Sequence, residues 1–206
     1  DPDLPANIYV SCMGLPFERT QERGLYKSTD GGQTWNQILF ASEQAGIIDM
    51  VMDPFDSDIL YAAAWDRIRN NQESVVNGPN AKIYKTTDGG LNWNELGGGL
   101  PTEDMGRIGM AISPTQPNLI YALYVNTDSQ LHNIFKSSDG VQNWQPLIDW
   151  NDEALGLPTG ILGGFGWYFG KLRLNPDNPN ELFILGVSLW KSSDQGGQWN
   201  EAAPPW

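Results

Sequence analysis

Aromatic and acidic side chains occur close together in one segment of the C-terminal third of the chain. Trp150, Trp167 and Tyr168 could each offer a flat apolar face to a sugar ring, while Asp152 and Glu153 could accept hydrogen bonds from its hydroxyl groups. The alternative is that these aromatic side chains are buried between neighbouring structural units. Both interpretations remain open from the sequence, and these five residues are the ligand-binding candidates.

Other site chemistries have little support. His132 is the single histidine, so a Ser-His-Asp triad could only be built on it, and we expect it to have a surface or packing role. The single cysteine, Cys12, excludes an intrachain disulfide and a zinc site made of several thiolates. We expect no metal and no cofactor. A calcium site made of Asp149, Asp152 and Glu153 stays open, but these residues lack EF-hand spacing.

Composition limits the partners. The 206 residues carry a formal net charge of −13, which would repel a nucleic-acid backbone or an anionic membrane surface. No apolar run approaches the 18 or so residues that a membrane-spanning helix needs. We therefore expect a glycan or protein ligand, no nucleic acid and no membrane span. The 23 glycines and 14 prolines indicate many turns between short strands.

A motif repeated four times explains the glycines and tryptophans. Each copy reads apolar, aromatic, Lys, two Ser/Thr residues and Asp, with Trp five positions after the Asp. The copies span residues 25–35, 83–93, 134–144 and 189–199. Their aspartate and tryptophan pairs are Asp30 and Trp35, Asp88 and Trp93, Asp139 and Trp144, and Asp194 and Trp199.

A second motif alternates with the first and places an aromatic residue seven positions after a proline. Its four copies run from Pro2 to Tyr9, Pro54 to Tyr61, Pro114 to Tyr121 and Pro176 to Phe183. The two motifs together predict a unit of four antiparallel strands, A to D, with the proline turn between A and B. The aspartate turn joins C to D, where the carboxylate accepts backbone N–H groups. The tryptophan then packs as a buried apolar plug, so we expect all eight residues to be structural.

These motifs resemble a known repeat. Residues 28–35 match Ser-x-Asp-x-Gly-x-Thr-Trp, which is the Asp-box or BNR repeat. It is similar to repeats of sialidases, sortilin-type receptor domains, the photosystem II assembly propeller and xyloglucan-active glycoside hydrolases. The pairing with the proline motif most resembles sortilin-like and xyloglucanase-like bacterial propellers. The resemblance covers almost the whole chain and implies an all-β propeller built of four-stranded antiparallel blades.

The repeats divide residues 1–206, taken as one propeller segment, into about four blades. The expected blades are residues 1–40, 46–97, 106–149 and 170–202. The first lacks strand A, because the chain begins at the proline turn. We expect the segment to belong to a larger propeller, completed by the parent chain or by another chain.

The resemblance implies two functions. The first is a non-catalytic binding or scaffolding propeller of a secreted or cell-surface bacterial protein, with a glycan or protein ligand. The alternative is a portion of a xyloglucanase-like glycoside hydrolase. Such enzymes use two separated carboxylates, and Asp66, beside the end of a predicted strand B, is the catalytic candidate. Sialidase chemistry is disfavoured, because the chain lacks a Phe-Arg-Ile-Pro motif.

Overall fold

The computed structural model describes residues 1–204, which are built almost entirely of β-structure. One short helical turn, the 3-10 helix Glu153–Leu155, interrupts the strands of this part of the chain. Three sheets have four strands, the first has three, and a small hairpin forms a further two-stranded sheet. All pairings are antiparallel, and the strand order in each sheet follows the chain. The predicted all-β fold of four-stranded antiparallel blades, with three strands in the first, is confirmed.

The strands of each sheet are as follows. The first sheet contains β1 (Ile8–Cys12), β2 (Gly24–Ser28) and β3 (Asn36–Leu39). The second contains β4 (Ala45–Met52), β5 (Leu60–Asp66), β8 (Ile83–Thr86) and β9 (Asn94–Glu95), and its B–C loop forms the hairpin β6 (Ile68–Arg69) and β7 (Ser74–Val75). The third contains β10 (Ile108–Ile112), β11 (Ile120–Val125), β12 (Leu131–Ser137) and β13 (Gln145–Pro146). The fourth contains β14 (Lys171–Leu174), β15 (Leu182–Leu185), β16 (Leu189–Ser192) and β17 (Asn200–Ala203).

Strand B of the second and third blades is buried on both faces, which explains its continuous apolar sequence. In β11, Ala122 and Tyr124 pack toward the second sheet, whereas Tyr121 and Leu123 pack toward the fourth. Side chains of a strand alternate between its faces, so one strand supplies two inter-blade cores. The core of this segment therefore lies between adjacent sheets.

The A strands lie side by side at the inner edge of the blades. Strand β10 contacts both β4 and β14. The Met110 backbone N–H donates to the Asp49 carboxylate at 3.0 Å, and Arg173 lies 3.8 Å from the same carboxylate. These contacts join the second, third and fourth blades around a shared inner surface.

Successive antiparallel strands reverse direction, so their connections alternate between two faces. One face, here called the box face, carries the proline turns and Asp-box turns. The opposite face, here called the loop face, carries the B–C loops and the D–A connections. The variable segments of the sequence therefore share one side of the molecule.

The Asp-box aspartates hold their turns together by hydrogen bonds. The Asp30 carboxylate accepts backbone N–H groups of Gln33 and Thr34, both at 2.9 Å, and the Thr34 hydroxyl at 2.6 Å. Ser28 donates its hydroxyl to the same carboxylate at 2.7 Å. These bonds, that from the Thr34 hydroxyl foremost, hold the pKa of Asp30 well below its usual value. The carboxylate thus stays ionised and accepts the backbone N–H groups of the turn.

Two boxes have another residue at a turn position where the other boxes have glycine, and the turn conformation is kept. Each turn has two successive residues with positive φ, and Val141 and Gln195 occupy such positions with φ of 70° and 64°. A β-branched residue is strained there, and Val141 lies about 25° from the φ of 92° to 98° at the matching glycines. The distortion of the third turn is confined to this small shift.

The box tryptophans differ in burial, which corrects the expectation that each one packs as a buried plug. Trp144 and Trp199 are 4% and 2% exposed, Trp93 is half-buried, and Trp35 is 40% exposed. Each buried tryptophan packs into the core shared with the preceding blade. The first sheet has no preceding sheet within these residues, so Trp35 lacks that packing partner.

Candidate functional site on the loop face

The long connection between the third and fourth blades crosses the loop face from the outer strands to the inner strands. Near its start, the Leu155 carbonyl accepts the Trp199 backbone N–H at 2.8 Å, beside the outer strand of the fourth blade. Later, the Gly166 N–H donates to the Ser129 carbonyl of a neighbouring B–C loop at 2.9 Å. The connection ends at β14, an inner strand.

This path separates the five sequence-predicted ligand-binding residues. Trp150, Asp152 and Glu153 line a pocket of about 350 Å³ near the outer strands, here called the outer pocket. Trp167 lines a different cavity, and Tyr168 lines a third. The sequence placed them in one segment, but the structure distributes them over three cavities.

Local hydrogen bonds already engage polar groups of the outer pocket. Trp150, which is 40% exposed, donates its indole N–H to the His132 carbonyl at 3.1 Å. The Asp152 carboxylate caps the 3-10 helix by accepting the Ala154 N–H at 2.9 Å. No group of three or more His, Cys, Asp or Glu side chains in residues 1–204 is arranged to hold a metal.

The Trp167 cleft is the second cavity and has a volume of about 440 Å³. It lies between the β6–β7 hairpin, the third-blade B–C loop and the long connection. Its lining residues are Arg67, Arg69, Asn70, Ser74, Val76, Ser129 and Trp167. The cleft thus combines one indole wall with guanidinium, amide and hydroxyl groups.

The inner pocket is the third cavity, with a volume of about 400 Å³. Its lining residues are Arg107, Tyr168, Phe169, Lys171 and Leu185. The consecutive aromatic rings 167–169 connect it to the Trp167 cleft, because they meet edge to face with centroid distances of 5.7 and 5.2 Å. The two cavities therefore lie on one continuous aromatic surface.

Arginine and tryptophan side chains alternate behind this surface. The Arg67 guanidinium lies 5.4 Å from the ring centroid of Trp167 and 5.8 Å from that of Trp65. The Arg107 guanidinium lies 5.8 Å from the same Trp65 ring. These distances are in the range of cation–π attraction. Trp65 is buried and fixed by an indole N–H bond to the Val76 carbonyl at 2.8 Å, so it is a rigid centre for both cations.

The catalytic candidate Asp66 is the last residue of β5 and is fully buried. Its carboxylate accepts the Asn80 backbone N–H at 2.8 Å, the Asn80 amide at 2.9 Å and the Gln44 amide at 3.2 Å. These bonds tie the long B–C loop of the second blade to the strand that precedes it. The carboxylate faces its own loop and lines neither the Trp167 cleft nor the inner pocket.

Sequence reasoning missed the arginines of this face. It selected the aromatic residues and passed over Arg67, Arg69 and Arg107, which line the cavities beside them. A signal was present, because a chain of charge −13 has only six arginines, and two of them stand in its longest B–C loop. Their meeting with Arg107 and Trp167 depends on contacts between blades, which no local pattern reveals.

Fold and site together define an Asp-box β-propeller segment with arginine and aromatic side chains lining two cavities of its loop face. The Sortilin-Vps10 family (sortilin, neurotensin receptor 3) matches residues 23–153, which is more than half of the chain. The chain belongs to this family.

Two curated proteins resemble the chain. Vacuolar protein sorting/targeting protein 10 of Fusarium vanettenii is 29% identical over 98 residues, covering 48% of this chain and 6% of that protein. A xyloglucanase of a Paenibacillus species is 24% identical over 99% of this chain and 20% of that enzyme. The chain thus spans a small part of the length of both relatives.

Solved structures share the fold. The GH74 xyloglucanase of Xanthomonas campestris superposes with a TM-score of 0.67 at 18% identity, over 97% of this chain and 28% of that one. The GH74 enzyme of Niastella koreensis gives a TM-score of 0.64 at 22% identity, over 98% and 28% of the respective chains. In the described part of this chain, no helix is long and apolar enough to cross a membrane.

Proposed function

We propose that this propeller segment is a non-catalytic carbohydrate-binding domain whose ligand occupies the Trp167 cleft. The observation that carries the proposal is the combination in one cavity of an indole wall with the Asn70 amide and the Ser74 hydroxyl. An aromatic ring stacks on the C–H face of a sugar, and neighbouring polar groups bond its hydroxyls.

Ion-pair and hydrogen-bond contacts hold the β6–β7 hairpin, which forms one wall of the cleft, in place. This favours a binding role. Arg19 of the first blade pairs with Glu73 at 2.7 Å, and the Asn70 amide donates to the Phe17 carbonyl at 2.9 Å. Arg67 donates to the Ile68 and Val75 carbonyls at 2.8 and 3.0 Å. Side chains held in place before binding lose less entropy when a ligand arrives.

Two carboxylates next to the cleft, those of Asp66 and Glu73, already have partners, which supports binding over hydrolysis at this position. Asp66 is buried under three hydrogen bonds, and Glu73 is paired with Arg19. Glycoside hydrolysis usually needs two carboxylates that flank the scissile bond. Polysaccharide outside the cell is the ligand we favour, which implies an extracellular or cell-surface location. A protein ligand is the alternative suggested by the sorting-protein relative.

Binding can be tested by affinity electrophoresis of the full chain in gels containing soluble plant polysaccharides, both neutral and acidic. Trp167→Ala should abolish the retardation of the protein, with an unchanged melting temperature. The matched control is Trp150→Ala, which removes the indole of the outer pocket and should retain binding. Loss of binding with Trp150→Ala alone would place the ligand in the outer pocket and contradict the proposal.

A portion of a glycoside hydrolase is the second candidate, favoured by the alignment of nearly the whole chain with a xyloglucanase. The exposed acids Asp149, Asp152 and Glu153 near the outer pocket would then be the carboxylates to test. Release of reducing ends from xyloglucan by the full chain, lost in Asp152→Asn or Glu153→Gln, would support this candidate. Binding without release of reducing ends would support the non-catalytic domain.

A further inference from the structure

Some arginines of the described residues form ion pairs with carboxylates, and others do not. Arg19 and Arg173 lie within 4 Å of carboxylates, and Arg23 donates to two backbone carbonyls. Within residues 1–204, the other arginines, Arg67, Arg69 and Arg107, have no carboxylate within that distance. The side chains of Arg69, Arg107 and Lys171 also make no hydrogen bond to any described residue. Three of the four arginines without ion pairs therefore line the Trp167 cleft or the inner pocket, and the fourth, Arg23, lies outside both cavities.

Among the three arginines that line the two cavities, Arg107 is the least satisfied. Its Nε atom is buried without a hydrogen-bond partner among the described residues. Burial lowers the pKa of Arg107, and the negative charge of Asp49 opposes this effect only in part. Burying a cation without a partner costs free energy, which an anionic ligand in the inner pocket would recover.

The local charge contrasts with that of the whole chain. The molecule carries a net charge of −13, yet no carboxylate of the described residues 1–204 lines either cavity. Glu73, next to the cleft, is neutralised by Arg19 at 2.7 Å, and Asp128 stands in the adjacent loop beside Ser129. Four cations therefore surround the aromatic surface: Arg67, Arg69, Arg107 and Lys171.

We propose that the Trp167 cleft and the inner pocket together bind an acidic glycan through its carboxylate or sulfate groups. The proposal rests on the proposed carbohydrate-binding function and adds the charge class of the ligand. Guanidinium groups bind carboxylate and sulfate oxygens with paired N–H donors. Trp167 and Tyr168 supply faces for successive sugar rings, so charge and stacking act on the same chain of sugars.

The test is isothermal titration calorimetry of the full chain with four separate probes. These are oligogalacturonides, dextran sulfate, neutral xyloglucan oligosaccharides and poly-glutamate. We expect binding of oligogalacturonides or dextran sulfate, weakening as salt is raised, and much weaker binding of the xyloglucan oligosaccharides. Stronger binding of oligogalacturonides identifies carboxylate as the recognised group, and stronger binding of dextran sulfate identifies sulfate.

Two variants and a matched control locate the site. Arg69→Gln removes an exposed side chain without hydrogen bonds, so the fold should be unaffected while affinity falls about tenfold. Arg107→Gln should lower affinity similarly, with its folding checked by the melting temperature. The control is Lys191→Gln, which removes one positive charge from a strand of the fourth blade, at a residue paired with Glu181 at 3.0 Å. It should leave affinity unchanged.

The possible failures are distinguishable. If xyloglucan oligosaccharides bind as tightly as the acidic probes and Arg69→Gln has no effect, the acidic-glycan inference is overturned while the carbohydrate-binding function stands. If poly-glutamate binds and none of the carbohydrates does, both proposals are overturned. An equal loss of affinity in Lys191→Gln and Arg69→Gln would show general charge attraction and also overturn the site.

Discussion

Lys27 of the first blade donates its ammonium to the Gly89 carbonyl in the Asp-box turn of the second blade, at 2.9 Å. The same lysine lies 5.1 Å from the ring centroid of Tyr9, its cross-strand partner. Lys85 repeats both contacts, with Gly140 at 3.4 Å and the Tyr61 ring at 5.5 Å. The lysine of one sequence motif therefore meets the aromatic residue of the other, and also ties each blade to the next.

Replacement of Lys27 by Met tests this tie, because Met keeps most of the apolar stem and removes the donor. We expect the free energy of unfolding to fall by about 1.5 kcal/mol, the lower end of the range for a hydrogen bond from a charged group. Chemical denaturation measures the change. Lys171→Met is the control, since that exposed lysine has no hydrogen bond in the described residues, and an equal loss in both variants would contradict the tie.

The tryptophan series tests the packing between blades. Trp199→Ala should destabilise the fold by about 3–5 kcal/mol, because this side chain fills the core between the third and fourth blades. Trp35→Ala should cost less than about 1 kcal/mol, since substitutions at exposed positions have small effects. Half-buried Trp93 should fall between them. Equal denaturation midpoints for the Trp35 and Trp199 variants would refute the assignment of the plugs.

Acid titration tests the Asp-box carboxylates. The Asn92 side chain, with the Asn92 N–H and the Thr86 hydroxyl, lowers the pKa of Asp88 from 3.8 to about 2. Because the pKa is lower in the folded state, the stabilisation is complete above pH 3.8 and is lost as the pH falls toward 2. In Asp88→Asn, the melting temperature should therefore fall less than in the parent protein as the pH drops from 3.8 to about 2.

The matched variant is Asp128→Asn, which removes an exposed carboxylate that accepts no hydrogen bond among the described residues. It should leave the acid limb of the stability curve unchanged. An unchanged acid limb in Asp88→Asn as well would show that the box hydrogen bonds do not stabilise the fold.

Asp66→Asn separates a structural role from a catalytic one. An amide would place an N–H donor where the carboxylate now accepts bonds from Gln44 and Asn80. We therefore expect the free energy of unfolding to fall by about 1–3 kcal/mol. Faster tryptic cleavage after Arg67 or Arg69 should accompany it as the loop loosens. A variant that melts like the parent but loses hydrolytic activity would instead assign Asp66 to catalysis.

The sequence alone determined the framework, because repeated motifs encode local structure. Alternating apolar residues, proline turns and the Asp-Gly turns specify strands and tight turns within about 50 residues of each other. The hydrogen bonds of Asp30 and Asp88 lie within four residues of the carboxylate, so spacing alone was enough to anticipate them.

Only the tertiary structure decided the site, because its residues come from different blades. The burial of Asp66 depends on Gln44 and Asn80, which are 22 and 14 residues away. The stacking of Arg67 on Trp167 joins residues that no sequence period relates. Packing between sheets depends on how side chains from distant segments fill the space they share. It placed Trp150 and Trp167 in different cavities, and it brought three arginines without ion pairs to one surface.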